Sequence, residues 1–234
     1  MEFHVTNDSV GDWYRNVVSL RASVDLFADL VRDPRDAQIL AEHELATKPA
    51  RRPMPIVSRP FEDAALYDPL YAAIAWPFKH PCSSRYSSGA FGVWYGADTL
   101  VTSVHETVHH FRGNTLASRV AAQSRRPIYQ ERRVHRVRSS AMLIDLRIAC
   151  REDPRLTAPD DYAFCQTIGK QLQSASQPGV ESCSVRHREG VIVGVFRRDA
   201  LSDPRDVCYL TYVLHPDSGH VDVERTPGKA EWHV

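Results

Sequence analysis

Two stretches hold the residues whose types and spacing could do chemistry: His105-Glu106-Thr107-Val108-His109, and the run from Ser84 to Tyr95 that precedes it. They admit two chemistries for one carboxylate. In the first, the HExxH spacing sets two imidazoles four residues apart on one helical face. Both rings can then reach a zinc ion while Glu106 acts as general base on its bound water. That reading needs a third ligand. The extended form of the motif would put a glycine at 112 and a histidine at 115, where this chain has Arg112 and Thr115. Glu131 is the nearest glutamate downstream, but it lies in QERRVHRVR, whose guanidinium groups compete with a dication for its carboxylate. A zinc metallopeptidase using His105 and His109 is therefore the weaker reading. In the second chemistry, Glu106 is the acidic residue of a nucleotide-binding cleft built with the residues before it.

The elements that must position these groups show in the patterning. Residues 12–47 are expected to form two helices, because Val17, Val24, Phe27, Leu30 and Val31 recur at spacings of three, four and seven, with a break at Asp33-Pro34. The proline and arginine cluster from Lys48 to Pro53 marks the expected boundary between an N-terminal helical extension, residues 1–50, and the main domain, residues 51–234. Met54 to Arg59 alternates like a short strand that delivers Arg59 to one end. Asp68-Pro69 opens a helix, Ala90 to Tyr95 reads as a strand, and Asp98 is expected to cap a helix carrying Leu100, Val101, Val104 and Val108 that ends at Gly113-Asn114. Glu106 falls in its middle.

Further strands are expected over residues 128–138, 141–146, 180–186, 191–197, 207–214 and 220–223. Between them, residues 160–175 form an amphipathic helix on Tyr162, Cys165, Ile168 and Leu172. Strands flanking a few helices, without regular βαβ alternation, define an α+β fold.

Composition removes several function classes. Lysines plus arginines equal aspartates plus glutamates at 29 each, so no global field favours nucleic acid or a membrane surface. Cys82, Cys150, Cys165, Cys183 and Cys208 are odd in number and scattered, which points to reduced thiols rather than a disulfide framework or a zinc knuckle. No secretory leader pattern opens the chain, and no run approaches the roughly 20 apolar residues of a membrane helix. The expectation is a cytoplasmic protein.

Four segments in order carry a family resemblance: Val57-Ser58-Arg59; Ser84-Arg85-Tyr86-Ser87-Ser88-Gly89 leading into Val93-Trp94-Tyr95-Gly96-Ala97; Thr102 to His110 around Glu106; and Gly179 to Arg186, containing Ser184, before Val191 to Phe196. Arg85 to Tyr95 spans ten residues and Tyr95 to Glu106 eleven. In this the chain resembles the RES domain family, the toxin component of toxin–antitoxin modules, from about Pro55 to Pro227. Two departures stand out. The family's Gly-Arg-Phe-Asn loop is Ser84-Arg85-Tyr86-Ser87 here, and its leucine after the tyrosine is Gly96.

The resemblance implies an ADP-ribosyltransferase-like fold and degradation of NAD+, taken as substrate, with no metal and no tightly held cofactor. Arg59 and Arg85 would hold phosphate or ribose oxygens, for which the planar guanidinium is suited. Glu106 would stabilise the oxocarbenium character that develops on the ribose, and Tyr95 would pack on the nicotinamide. Ser184 would bind substrate or orient the nucleophile, and Arg186 would join the same cluster. The implied partners are a helix-turn-helix antitoxin, which itself binds DNA, and a second copy in a homodimer. Transfer of ADP-ribose to a macromolecule, and a non-catalytic binding module, remain open beside this reading.

Overall fold

A computed structural model of the chain describes residues 4–5, 10–18 and 69–234. Its strands are β1 (His4–Val5), β2 (Val10–Val18), β3 (Ser83–Ser84), β4 (Ser87–Ser88), β5 (Trp94–Ala97), β6 (Ile128–Ser140), β7 (Ile144–Asp145), β8 (Gly179–Cys183), β9 (Val191–Val195), β10 (Leu201–His215), β11 (His220–Thr226) and β12 (Lys229–His233). The helices are α1 (Pro69–Lys79), α2 (Leu100–Leu116), α3 (Arg119–Ala122), α4 (Arg147–Glu152) and α5 (Ala163–Ser174). Ten strands form one sheet in the order β1-β7-β8-β9-β5-β2-β6-β10-β11-β12, and β3 and β4 make a separate small hairpin. Only β7 and β8 run parallel, so the sheet is mixed and the class is α+β, as the absence of βαβ alternation implies.

The largest correction to the expected elements concerns the N-terminal segment. Residues 12–18 do not begin a helix. They belong to β2, which pairs with β6 along its whole length, from Val10↔Ser140 to Val18↔Arg132. Of the apolar set that suggested a helix, only Val17 lies in this stretch. The local composition, with Val10, Trp13, Tyr14, Val17 and Val18, is β-branched and aromatic and packs well on a pleated surface. This stretch is thus an interior strand of the main sheet and not a helical extension. The rest of the expected N-terminal helices, the boundary near residue 50 and the strand ending at Arg59 lie outside the described residues.

Trp13 also explains a departure noted above. A Cβ on Gly96 would sit 2.6 Å from the Trp94 ring and 2.8 Å from the Trp13 Cβ, so β5 can take no side chain where β2 brings its tryptophan alongside. Trp94 and Tyr95 alternate across the sheet. Trp94 is buried with Trp13, Ile74 and Val193, while Tyr95 packs against the cluster of Tyr86, Ile168 and Val180. A third cluster, with Val104, Val108 and Phe111 of α2 against Val134, Leu210 and Tyr212, seats the helix that carries Glu106.

Smaller differences have local causes. The N-cap of α2 is Thr99, whose hydroxyl accepts from Thr102 N at 3.0 Å, whereas Asp98 turns its carboxylate to Thr99 N at 2.8 Å. The helix runs through Gly113-Asn114 to Leu116, since an exposed glycine weakens a helix without having to end it. The expected strand over 141–146 shrinks to Ile144–Asp145 before α4, and that over 180–186 stops at Cys183. β10 extends back to Leu201, and β12 adds a strand at the C-terminal end.

Helix α5 touches the hairpin at its narrowest point. A Cβ on Gly169 would lie 1.9 Å from the Tyr86 carbonyl oxygen, a backbone atom that cannot swing aside. Gly169→Ala should therefore lower stability by about 3 kcal/mol, the upper range for overpacking. The check is a shift of the urea midpoint at unchanged slope.

Candidate active site

Glu106 is held by Ser184, whose Oγ lies 2.5 Å from its Oε1. The direction of that bond is forced. Ser184 Oγ also receives the backbone N–H groups of His187, at 2.9 Å, and of Arg186, at 3.2 Å. Amide nitrogens only donate, so the serine hydroxyl uses its lone pairs on them and its single proton on the carboxylate. Ser184 is buried, and it meets Glu106 from the side rather than lining the cavity. It is a positioning residue. Among the described residues the hydrogen-bond partner of Glu106 is this hydroxyl.

The loop that presents Ser184 is closed on itself and docked on α2. Ser184 N donates to Gly190 O at 2.7 Å, and a Cβ on Gly190 would meet Thr102 Cγ2 at 2.5 Å. His187 follows Ser184 in this turn, not on the far side of a continuing strand. Its Nδ1 lies 2.9 Å from Thr102 Oγ1 and its ring stacks on His105, with centroids 5.0 Å apart. The imidazole does not reach the serine hydroxyl, so there is no Ser-His-acid triad.

Arg85 and Tyr86 form the tip of the β3–β4 hairpin, anchored by Tyr95 and Gln166. The Tyr95 hydroxyl accepts from Tyr86 N and donates to Ser84 Oγ, both at 3.0 Å. Burial pushes the Tyr95 phenol up to about 12 despite these two bonds, so it stays neutral and its proton is committed to the hairpin. Gln166 Nε2, from α5, donates to Ser84 O at 3.0 Å. Gly89, at φ +103°, takes the left-handed turn that lets the chain leave the hairpin. Arg85 itself donates to Ala158 O at 2.9 Å, and its guanidinium lies 4.6 Å from the Tyr162 ring centroid.

A cavity of about 360 Å³ opens between these groups, lined by Arg85, Tyr95, Glu106 and Tyr162 together with Arg15, Asn16 and Trp76. Arg15 was not visible as a site residue in the sequence. Only Tyr14↔Ala97 pairs β2 with β5; beyond it the strands part, and Arg15 Nη1 donates instead to the Tyr95 carbonyl at 2.9 Å. Burial and the neighbouring Arg132 lower the Arg15 pKa to about 10, which leaves it charged at neutral pH. Its Nε is buried without a hydrogen-bond partner. Among the described residues no carboxylate forms a salt bridge with Arg15 or Arg85. The cavity is therefore lined by two guanidinium groups and one fixed carboxylate.

Other expected site residues fall elsewhere. Arg186 is not among the residues lining the cavity; it bonds Pro159 O and, at 3.3 Å, Asp160 Oδ1. Arg59 lies outside the described residues. His105 stacks on His187, and His109 Nε2 turns to Asp160 Oδ1 at 3.6 Å. Burial, then the nearby His187, lowers the His105 pKa. Among the described residues these two histidines belong to no group whose ligand atoms converge on a metal-sized point. The five cysteines are all free, as their scattered spacing implied.

The candidate site thus joins the Glu106 carboxylate, the arginine hairpin and the serine loop on an α+β fold. The RES domain family matches residues 57–215, more than half of the chain, and the chain belongs to that family. Among solved structures it is similar to the M. tuberculosis MbcT–MbcA toxin–antitoxin complex, at 16% identity over 58% of this chain and 74% of that chain, with a TM-score of 0.38. No curated protein matches the chain.

Tyr95→Phe removes both hydrogen bonds to the hairpin and leaves the Tyr86 N–H without its acceptor. The expected cost is about 1–3 kcal/mol in chemical denaturation, with faster amide exchange at Tyr86 than in the native chain.

Proposed function

We propose that this protein is the toxin of a toxin–antitoxin pair and that it degrades NAD+ by cleaving the bond between nicotinamide and ribose. The observation that carries the reading is the pairing of opposites in one cavity: Glu106 locked by Ser184, beside Arg15 and Arg85, which form no salt bridge with a carboxylate among the described residues. NAD+ brings a diphosphate for the guanidinium groups and a ribose whose hydroxyls can donate to Glu106. As the glycosidic bond breaks, its electron pair passes to the nicotinamide nitrogen and cancels that ring's positive charge, while positive charge develops on the ribose. The carboxylate stabilises that charge where it appears, and Ser184 keeps it from rotating away. Water or inorganic phosphate then bonds to the anomeric carbon. Hydrolysis, phosphorolysis and transfer to a macromolecule share this cleavage and differ only in the acceptor.

Tyr95 and Trp76 supply aromatic surface for a nicotinamide or adenine ring. Membership of the RES family extends the proposal to a helix-turn-helix antitoxin that covers the cavity, to a homodimer and to action in the cytoplasm. No helix among the described residues is long and apolar enough to cross a membrane.

The test is nicotinamide release from NAD+, with and without phosphate and with and without a chelator. Wild type should release nicotinamide in all four conditions, and phosphate should speed release if it is the acceptor. Glu106→Gln should lower kcat roughly a hundredfold to a thousandfold. Arg15→Ala and Arg85→Ala should raise KM roughly tenfold, with smaller effects on kcat. Absence of release under every condition would sink the reading, and loss of release with chelator would return the HExxH motif to consideration.

A further inference from the structure

The last three strands carry a group of side chains that this function does not use. His215 closes β10, His220 opens β11, and the two face each other in register; Asp222 follows on β11 and faces His233 of β12. Residues 220 and 222 are two apart on one strand, so they share a face, and the cross-strand partners bring the other two histidines to it. Three imidazoles converge on one carboxylate. His220 Nε2 lies 3.0 Å and His233 Nδ1 2.6 Å from Asp222 Oδ1, while His215 Nε2 lies 3.0 Å from Oδ2. The rings of His220 and His233 are nearly parallel, at 18° with centroids 5.6 Å apart.

We propose that His220, Asp222 and His233 form a binding site for a divalent transition-metal ion, zinc by its chemistry, with His215 holding the second oxygen of Asp222. The ligand atoms of those three residues lie within 4.8 Å of one another. Zinc bonded at about 2.0–2.1 Å in a tetrahedron needs its ligands roughly 3.4 Å apart, a separation that small side-chain rotations supply. Two nitrogens and one carboxylate oxygen are a borderline set, suited to zinc and other late first-row ions rather than to calcium or magnesium. The second oxygen is already fixed by His215, which matches the way outer hydrogen bonds orient a ligating carboxylate.

Charge favours a cation at this point. No lysine or arginine forms a salt bridge with Asp222 among the described residues, and its ion pairs are with the three histidines. Without an ion, two imidazoles must each present an N–H to the same oxygen, which fixes both tautomers. With one, both nitrogens offer lone pairs and the oxygen is shared. His215, His220 and His233 are partly exposed, so an ion has access from solvent.

The consequence is structural. Among the described residues β12 is the edge of the sheet, and His233 is its last residue. A metal bridging it to β11 would staple the C-terminal strand where only one ladder of backbone bonds holds it.

The experiment uses the full chain without an affinity tag, stripped with chelator and titrated with Zn2+ against a chromophoric chelator, with Co2+ as spectroscopic probe. The expected result is one saturable Zn2+ per chain and a Co2+ visible band of low-coordinate type. Binding should fall at least tenfold in Asp222→Asn and in His233→Ala, and it should persist in His105→Ala. Circular dichroism of each variant confirms that it is folded. No saturable zinc binding by the wild type overturns the proposal. So does equal binding by wild type and the Asp222→Asn, His233→Ala pair, or binding that is lost in His105→Ala.

Discussion

The hydrogen bond from Ser184 to Glu106 is the constraint on which the candidate site depends. A carboxylate in the middle of a helix has several rotamers, and only an external group can select one. Ser184 does so because two backbone N–H groups have already claimed its lone pairs, leaving its proton one destination. The loop that supplies them is itself docked on the helix: Gly190 admits no Cβ against Thr102, and His187 reaches Thr102 while Thr102 lies 2.7 Å from the Thr99 cap. Helix start, loop closure and carboxylate orientation are therefore one connected set of contacts rather than three separate features.

Among the described residues the arginines that line the same cavity are held by groups that do not neutralise them. Arg85 is fixed by backbone carbonyls and an aromatic face, and Arg15 by the Tyr95 carbonyl. Partial burial of a cation without a carboxylate costs stability, and the lowered Arg15 pKa is the sign of that cost. In the proposed reaction the diphosphate of NAD+ would supply the anionic oxygens that these guanidinium groups lack among the described residues. Among the described residues Glu106 forms no salt bridge with either guanidinium; its hydrogen-bond partner is Ser184.

The parts of the site written in short segments were legible in the sequence. Arg85, Tyr95 and Glu106 sit at fixed intervals on a hairpin, a strand and a helix, and their order survives folding because each element is local. Ser184 was legible as a residue, but its role was not, because the direction of its hydroxyl depends on a turn that a strand pattern concealed. Arg186 was misplaced for the same reason. Ending β8 at Cys183 sends its side chain toward Pro159 and Asp160. Arg15 was missed because β2 has no partner nearby in sequence: its pairing with β6 spans more than a hundred residues, and periodicity reports only local structure. Gly96 read as an anomaly until Trp13 was found beside it.

That long-range strand also explains how the N-terminal segment can matter to a site otherwise made by residues 85–184. Arg132, on β6, is buried and forms no salt bridge with a carboxylate among the described residues; its Nε donates to Asn16 Oδ1 at 2.7 Å, and its guanidinium lies over the Tyr212 ring. Asn16 Nδ2 donates to the Tyr212 hydroxyl, which lies 2.8 Å from Thr107 Oγ1, and Thr107 donates to Ser103 O. The chain of bonds runs from β6 through β2 and β10 to α2, one residue from Glu106. Removing β2 would leave Arg132 with Gln130 but without both Asn16 acceptors, the Tyr212 hydroxyl without a donor, and the cavity without Arg15. The first strand thus acts twice, once by delivering a cation and once by satisfying the buried polar groups that hold the carboxylate's helix to the sheet.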